Sequence, residues 1–263
     1  MNNLNNLTVI IVTYLTDKKI LFNCLKSIDK KIKVIIIENS SKFSDKRFFL
    51  KKFPNVKIKY TGSNLGYGKG NNFGINLVRT DFVLILNPDI ICDKKLFSNI
   101  GKILNKTNSF SIIGCQYLYD KTFMPAGYFD YKKNKKYKEK FFSNKQKTLV
   151  KVDWVTGCSM LINLKKFNNK NFFDENYFLF FEEFDLCKTI LRNKGTIYTA
   201  SDLKVQHLGF KGSIGSNKYL KESALKLRDW HLMWSTFYFY RKNYNFFYAL
   251  FKTLGKLQRS ILK

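Results

Sequence analysis

Acidic residues are scarce in this chain: 19 Asp and Glu stand against 47 Lys and Arg among 263 residues, a formal net charge of +28. Such an excess allows an anionic partner, whether nucleic acid, anionic lipid or a phosphorylated substrate. Arginine is also scarce, at six residues, while Lys, Asn, Ile and Phe abound, the composition that AT-rich coding produces. We read the charge chiefly as that bias, with a modest membrane contribution. The five cysteines (Cys24, Cys92, Cys115, Cys158, Cys187) are odd in number and contain no CxxC pair, which argues against a disulfide framework or structural zinc and for a reducing compartment. No apolar run approaches the roughly 18 residues that span a bilayer. The opening MNNLNNL lacks the basic-then-apolar layout of a signal peptide. The expected location is the cytoplasm, or a membrane surface without crossing it. Internal repeats are absent as well.

What is present is an ordinary globular share of apolar residues, 45%, in a chain long enough for one large α/β domain with a helical appendage. Unbroken β-branched runs alternate with helical patterns. VIIVTYL (Val9 to Leu15) reads as a buried strand, and Asp17 as the cap of a helix bearing Ile20, Leu21, Cys24, Leu25 and Ile28. VIIIENS (Val34 to Ser40), VKIKYTG (Val56 to Gly62) and FVLILNPDI (Phe82 to Ile90) read as further strands. A short helix to Phe53 follows the second, and GYGKGNNFGINLV opens a helix after the third. Strands this apolar are covered on both faces, which predicts a mostly parallel central sheet flanked by helices. SIIGCQYLY, WVTGCSMLI and TIYTASDLKVQHL add later strands, and a helix within FDENYFLFFEEFDLCKTILRNKG ends near Gly195. The lysine-rich Tyr131–Thr148 is expected to be a mobile surface loop. From Lys218 the pattern is helical. Its last segment sets Phe247, Leu250, Phe251, Leu254, Leu257 and Ile261 on one stripe, with Lys252, Lys256, Arg259 and Lys263 elsewhere. Such a stripe either packs on the main domain or lies in a membrane interface.

In sheets of this kind ligands bind beyond the carboxyl ends of the strands, so the polar residues there matter most. Asp89, with Asn87 beside it, closes the fourth strand, and His207 closes a later one. A lone Asp at a strand end is ordinarily a turn or cap, and a lone His is ordinarily structural; alone neither says much. Glu182, Glu183 and Asp185 open a helix, where acids favour the dipole. They are also framed by Phe180, Phe181 and Phe184, surroundings that raise a carboxylate toward a useful base. SNLGYGKGNN (Ser63 to Asn72) has glycines that let a backbone approach a ligand, but its spacing is not the GxGxxG of dinucleotide folds.

Together these pieces resemble glycosyltransferase family two and its GT-A nucleotide-diphospho-sugar transferase fold, the rhamnosyltransferase-like branch of bacterial surface polysaccharide synthesis most of all. The resemblance runs from Val9 to about Tyr240. VIIVTY and VIIIENSS are similar to the family's first two strand ends, SNLGYGKGNNFGI to its N-x-G-x-x-x-G-N-N loop, and LNPD to its DxD-type segment. DWVTGCSMLI and FDENYFLFFEEFDLC resemble its W-x-x-G-x-x-M-L block and its F-D-E-x-F-F-x-x-x-E-D-x-D-L-C block. WHLMWSTFYFY (Trp230 to Tyr240) resembles the rhamnosyltransferases in particular.

The resemblance implies that Thr13, Tyr14, Glu38, Asn39, Ser40, Asn64, Gly66, Asn71 and Asn87 line the nucleotide pocket. It implies that Asp89 and His207 bind Mn2+ or Mg2+. The catalytic base falls at Glu183, with Glu182 as the alternative, and Trp154, Thr156, Gly157 and the lysine-rich loop meet the acceptor. Three positions depart from the family pattern: Glu183 and Glu38 replace Asp, and Asn87 leaves Asp89 as the one carboxylate of LNPD. The implied reaction is an inverting, metal-dependent transfer to an acceptor hydroxyl, with dTDP-rhamnose as donor (a UDP-sugar being the alternative). The implied acceptor is a polyprenyl-diphosphate-linked glycan at the inner face of the cytoplasmic membrane, as in O-antigen or capsule synthesis. Residues 1–215 would form the catalytic domain and 216–263 a helical, membrane-associating segment. Two other readings stand beside this one, an inactive sugar-nucleotide-binding relative and a nucleic-acid-binding protein. The second leaves the acid-aromatic block without purpose, and its charges are not gathered into one recognition element, so nucleic acid is not expected as a partner. Oligomeric state is not legible.

Overall fold

Leu7–Thr13 forms β1, buried almost throughout, and Asp17 then caps α1 (Lys18–Ser27) by accepting hydrogen bonds from the Lys19 and Ile20 amides at 2.9 and 3.1 Å. The computed structural model describes residues 3–107, 109–117, 125–142, 149–167, 172–208 and 218–261. After α1 come β2 (Lys33–Glu38), α2 (Lys46–Lys52), β3 (Val56–Tyr60), α3 (Tyr67–Asn76) and β4 (Phe82–Leu86). The apolar run through Ile90 is not one strand. It breaks at Asn87–Asp89, and Ile90–Cys92 forms a separate short β5. The order continues with α4 (Leu96–Lys106), β6 (Ile112–Tyr117), β7 (Ala126–Gly127), α5 (Tyr131–Phe142), β8 (Leu149–Val152), β9 (Trp154–Val155) and β10 (Ser159–Asn163). It ends with α6 (Glu182–Arg192), β11 (Ile197–His207), α7 (Lys218–Asn243) and α8 (Phe246–Ile261).

The main sheet runs β3-β2-β1-β4-β10-β6-β11-β5, with β8 also on β11. Its first half is parallel, as the continuous apolar runs require, and β6 and β11 pair in parallel too. Between β4 and β6 lies β10, antiparallel to both, and β5 returns antiparallel on β11. The register Thr13↔Glu38 and Glu38↔Tyr60 aligns the carboxyl ends of β1, β2 and β3. One apolar layer packs α1, α2 and α4 on one face of the sheet, and a second lies against α3 and α6 on the other.

The lysine-rich run is corrected by the structure. Tyr131–Phe142 is α5, held by Asp130, which accepts from the Lys133 amide (2.8 Å), by Asn134, which accepts from the Tyr128 amide (2.9 Å), and by a buried Tyr137 set edge-on to Tyr128. One tyrosine and one asparagine at the right offsets anchor a helix on which Lys132, Lys133, Lys135 and Lys136 are exposed. Positions 143–148 lie outside the described residues, as do the Gly/Ser-rich 209–216 and the expected domain boundary at 215/216. α7 is tied to the main body. Lys242 bridges Asp174 (2.7 Å) and Asp185 (2.6 Å), and Ser235 donates to the Leu179 carbonyl (2.7 Å). Asp185, read with the acidic cluster, is therefore turned toward α7, with Asn243 donating to it as well. All five cysteines are buried and free.

Candidate functional site

A cavity of about 210 Å³ opens beyond the carboxyl ends of β1, β2 and β4, and Thr13, Tyr14, Asn39, Asn64, Gly66 and Asn87 line it. Glu38 lies buried beneath that wall. Thr13 Oγ1 donates to its Oε2 at 2.6 Å and Ser40 Oγ to its Oε1 at 2.7 Å. Burial pushes the Glu38 carboxyl above the usual carboxylate range, and the two hydroxyls pull against that rise. The SNLGYGKGNN loop is fixed from both sides. Asn39 Nδ2 donates to the Gly66 carbonyl (2.8 Å), Asn64 Oδ1 accepts from the Gly66 amide (3.1 Å), and the Tyr67 amide donates to the Phe178 carbonyl (2.9 Å). Gly66 has φ +82°, and a Cβ there would come within 2.2 Å of that same carbonyl oxygen, so only glycine fits. Asn71 is fully buried behind the loop, its amide donating to the Tyr67 carbonyl at 3.0 Å.

The break between β4 and β5 places Asp89. Because Ile90 pairs with His207 across β5 and β11, and the Leu208 amide donates to the Asp89 carbonyl, the imidazole comes to the turn: His207 Nε2 stands 3.4 Å from Asp89 Oδ2. Asp89 is buried and His207 half-buried, its ring stacked 5.9 Å from that of Tyr117. Residues 118 apart in sequence thus meet through one strand register.

Glu182 and Glu183 begin α6, immediately after Phe180 and Phe181, both of which hold left-handed backbone (φ +71° and +69°). Non-glycine residues rarely adopt that conformation, and a pair of them here sets the direction in which the helix starts. Glu182 is buried; its Cβ lies 3.5 Å from where a Cβ on Gly68 would stand, and its Oε2 has no hydrogen-bond partner among the described residues. Glu183 is half-buried beside Gly157. Burial raises both carboxyls, and the neighbouring Glu183 also raises Glu182; Glu183 is pushed up to about 7 and Glu182 well above the usual carboxylate range. The phenylalanines act less directly than their spacing implied. Phe181 packs on Phe239 (5.1 Å) and Phe184 on Trp154 (5.1 Å), while Tyr67 and Gly68 of α3 approach the glutamates.

The turn at residues 156–158 joins these groups. Thr156 Oγ1 meets the Tyr117 hydroxyl at 2.5 Å, the Tyr67 hydroxyl donates to the Gly157 carbonyl, and the Asn87 amide donates to the Cys158 carbonyl (2.9 Å). Burial pushes the Cys158 thiol up to about 12, and Asp89 and Glu183 both add to that rise. Of the three residues expected at the acceptor, Thr156 and Gly157 lie in this turn, and Trp154 stands just before it. Asp89 with His207 and Glu182 with Glu183 therefore flank one short turn at the cavity's edge.

Helix α7 supplies lining that the sequence reading missed. Leu227, Arg228 and His231 face the cavity, His231 stacked on Phe178 at 4.3 Å and Arg228 5.6 Å from the Phe180 ring centre. Burial lowers both basic groups. A signal was available: the chain has only two histidines, and the second lies one turn from an arginine in the Trp230–Tyr240 stretch.

Relatives are recognisable on this framework. The hexosyltransferase Agl10 of low-salt glycan biosynthesis from Haloferax volcanii is 26% identical over 192 residues, 70% of this chain and 61% of that one. The rhamnosyltransferase WbbL from Escherichia coli K12 is 28% identical over 193 residues, 65% of this chain and 70% of that one. The chain thus spans less than two thirds of the first relative's length. Among solved structures, the mannosyltransferase PcManGT from Pyrobaculum calidifontis, in complex with GDP-Man and Mn2+, superposes with a TM-score of 0.60 at 13% identity, over 98% of this chain and 75% of that one. S. aureus TarS 1–349 with UDP-GlcNAc gives 0.59 at 13% identity, over 86% and 66%. At such identities the likeness is one of fold, the GT-A architecture. The sequence profile of glycosyl transferase family 2 matches residues 8–169, from β1 through β10 and so through the LNPD turn and the 156–158 turn; with more than half its length so matched, the chain belongs to glycosyl transferase family 2.

Proposed function

We propose that this protein is an inverting glycosyltransferase that moves a sugar from a nucleotide-diphosphate donor to an acceptor hydroxyl. The observation that carries the reading is the convergence at the 156–158 turn of a buried carboxylate–imidazole pair and a glutamate held near neutral pKa. The donor set suits a divalent cation. Asp89 offers a hard oxygen and His207 an imidazole nitrogen, and among the described residues no third His, Cys, Asp or Glu completes a protein cage. Such a pair matches an ion that takes its remaining ligands from phosphate oxygens and water. When bound there, Mn2+ or Mg2+ would neutralise charge on the departing diphosphate.

Glu183 serves as the base. Glu182 is buried with its Oε2 unpartnered among the described residues, whereas Glu183 is half-buried beside Gly157, so the more accessible Glu183 is the carboxyl placed to take a proton. Glu183 accepts the proton of the acceptor hydroxyl, that oxygen bonds to the anomeric carbon, and the bond from this carbon to the diphosphate oxygen breaks, its electron pair leaving with the diphosphate. One displacement inverts the anomeric centre. Thr13, Asn39 and Asn64 hold the nucleoside end, and Arg228 adds positive charge beside it. Residues 1–215 act as the catalytic unit, and 216–263 as a helical segment that closes one wall of the pocket.

The donor is dTDP-rhamnose and the acceptor a polyprenyl-diphosphate-linked glycan of surface polysaccharide assembly; the 28% identity to a rhamnosyltransferase supports the sugar. A donor panel with Mn2+ tests this through nucleoside diphosphate release. Release from dTDP-rhamnose is expected. Release from UDP-sugars alone overturns the donor, and nucleotide binding without release from any donor or acceptor marks an inactive relative.

A further inference from the structure

α7 and α8 carry an apolar surface that no other described residue covers. On α7, Leu227, Trp230 and Trp234 share one face and are all exposed, Trp230 at 56%. Ring contacts continue the line: Trp234 to Phe237 (6.4 Å), Phe237 to Phe246 (5.9 Å) and Phe246 to Phe247 (5.7 Å). On α8, Phe247, Leu250, Phe251 and Leu254 extend it at helical spacing, with Phe247 80% and Phe251 70% exposed. The inner side of α8 is different, for Ala249 is fully buried. Phe247, Leu250, Phe251 and Leu254 of the stripe anticipated on α8 thus face outward, and they are joined to a second aromatic face on α7 that begins at the cavity, since Leu227 lines both.

We infer that this ridge is a docking surface for an anionic bilayer, laid so that the mouth of the donor pocket opens at the membrane interface. A continuous apolar patch of this extent rarely stays exposed to water on a protein that has no partner for it. Its chemistry fits one occupant in particular. Tryptophan and phenylalanine favour the headgroup boundary, where an amphipathic helix buries its apolar face while cations stay with the phosphates. From residue 218 onward ten Lys and Arg accompany two Asp and Glu. Lys226 and Arg241 are exposed on α7. Lys252 of α8 lies 5.2 Å from the Tyr248 ring centre, its stem along the aromatic surface. The chain excess of +28 adds attraction to acidic lipid at longer range. No helix among the described residues is long and apolar enough to cross a membrane, so contact of this kind would be lateral. A lipid-anchored acceptor diffusing in the bilayer would then reach the pocket along the Trp230–Leu227 end of the ridge. That last consequence rests on the transferase reading; the docking does not.

Flotation of the full chain with phosphatidylcholine vesicles, with and without phosphatidylglycerol, tests the proposal. Binding is expected only to the anionic vesicles, and it should weaken as salt rises. The double variants W230S/W234S and F247S/F251S should each lower partitioning by roughly tenfold or more. F247S/F251S should leave donor hydrolysis in the absence of vesicles unchanged, because those residues lie far along α8 from the pocket. Circular dichroism melts report whether each variant is folded. Wild type that ignores anionic vesicles overturns the proposal, as does full binding by folded W230S/W234S. Concentration-dependent self-association that the same serines abolish, without vesicle binding, would assign the ridge to a second copy of the chain instead. Failure of donor turnover with intact flotation would refute the transferase reading and leave this one standing.

Discussion

Replacing Glu183 by Gln separates charge from shape at the site. The groups facing this carboxyl are Glu182 on its own helix, Tyr67 of α3, Cys158 of the bridging turn and Cys187, one turn further along α6. None of them is cationic, the Glu183 and Gly157 backbone hydrogen bonds offset the cost of burial only in part, and the carboxyl rises from 4.5 to about 7. A carboxyl held above its unfolded value favours the folded state only while protonated, so its contribution is intact below pH 4.5 and is lost as pH rises through about 7. From 4.5 to about 7 corresponds to roughly 3 kcal/mol. Glutamine cannot ionise and escapes that loss. E183Q is therefore expected to be more stable than wild type by about 1 kcal/mol at pH 5 and about 3 kcal/mol at pH 8. Over the same range wild-type kcat/KM should climb as the base ionises, while E183Q loses transfer by roughly 10²- to 10⁴-fold and keeps its affinity for nucleoside diphosphate. Urea unfolding at pH 5 and 8, turnover and calorimetric nucleotide binding supply the three readouts. A stability difference that does not change with pH would refute the electrostatic argument, and turnover within tenfold of wild type would move the base elsewhere.

Other consequences are sharper in structure than in chemistry. Asp89→Asn should weaken nucleoside diphosphate binding by at least roughly tenfold when Mn2+ is present, and titration in EDTA should find no difference between variant and wild type. Gly66→Ala forces a Cβ to 2.2 Å from the Phe178 carbonyl oxygen at φ +82°, and should destabilise by about 3 kcal/mol or more; Gly62→Ala, at φ +83° with nothing within 4 Å, should cost only about 1 kcal/mol. Thermal unfolding of the two side by side checks the contrast, and equal losses would mean the loop is free to move away from residue 178. Lys242→Met leaves Asp185 buried without its cation and should cost about 3 kcal/mol in urea unfolding; a loss well below 1 kcal/mol would show that Asn243 and Tyr177 suffice.

Chemical identity along the chain determined a good deal of this. β-Branched runs bounded by turn residues read as buried strands, and Asp17 before an apolar 3.6-residue pattern as a helix opening; β1, β2 and α1 form where they were read, while the run through Ile90 divides into β4 and β5 and β3 exposes one face. The polar residues closing those strands were legible for the same reason, since side chains at a strand's end have no neighbour but the crevice. What the chain order could not express was register. Asp89 and His207 meet because Ile90 pairs with His207 rather than with a residue two places away, and that choice belongs to the whole sheet. Nor could spacing reveal that Glu182 and Glu183 face Tyr67 and Gly157 while Asp185, two residues on, turns to Lys242: successive helical positions diverge by about 100°, and only the packing of α6 between α3 and α7 says which direction is the pocket. The α7 contribution was hidden likewise. Trp230 and His231 are neighbours in sequence, yet one faces solvent and the other the cavity, because the position of a helix against its neighbours is set by contacts that no local pattern encodes.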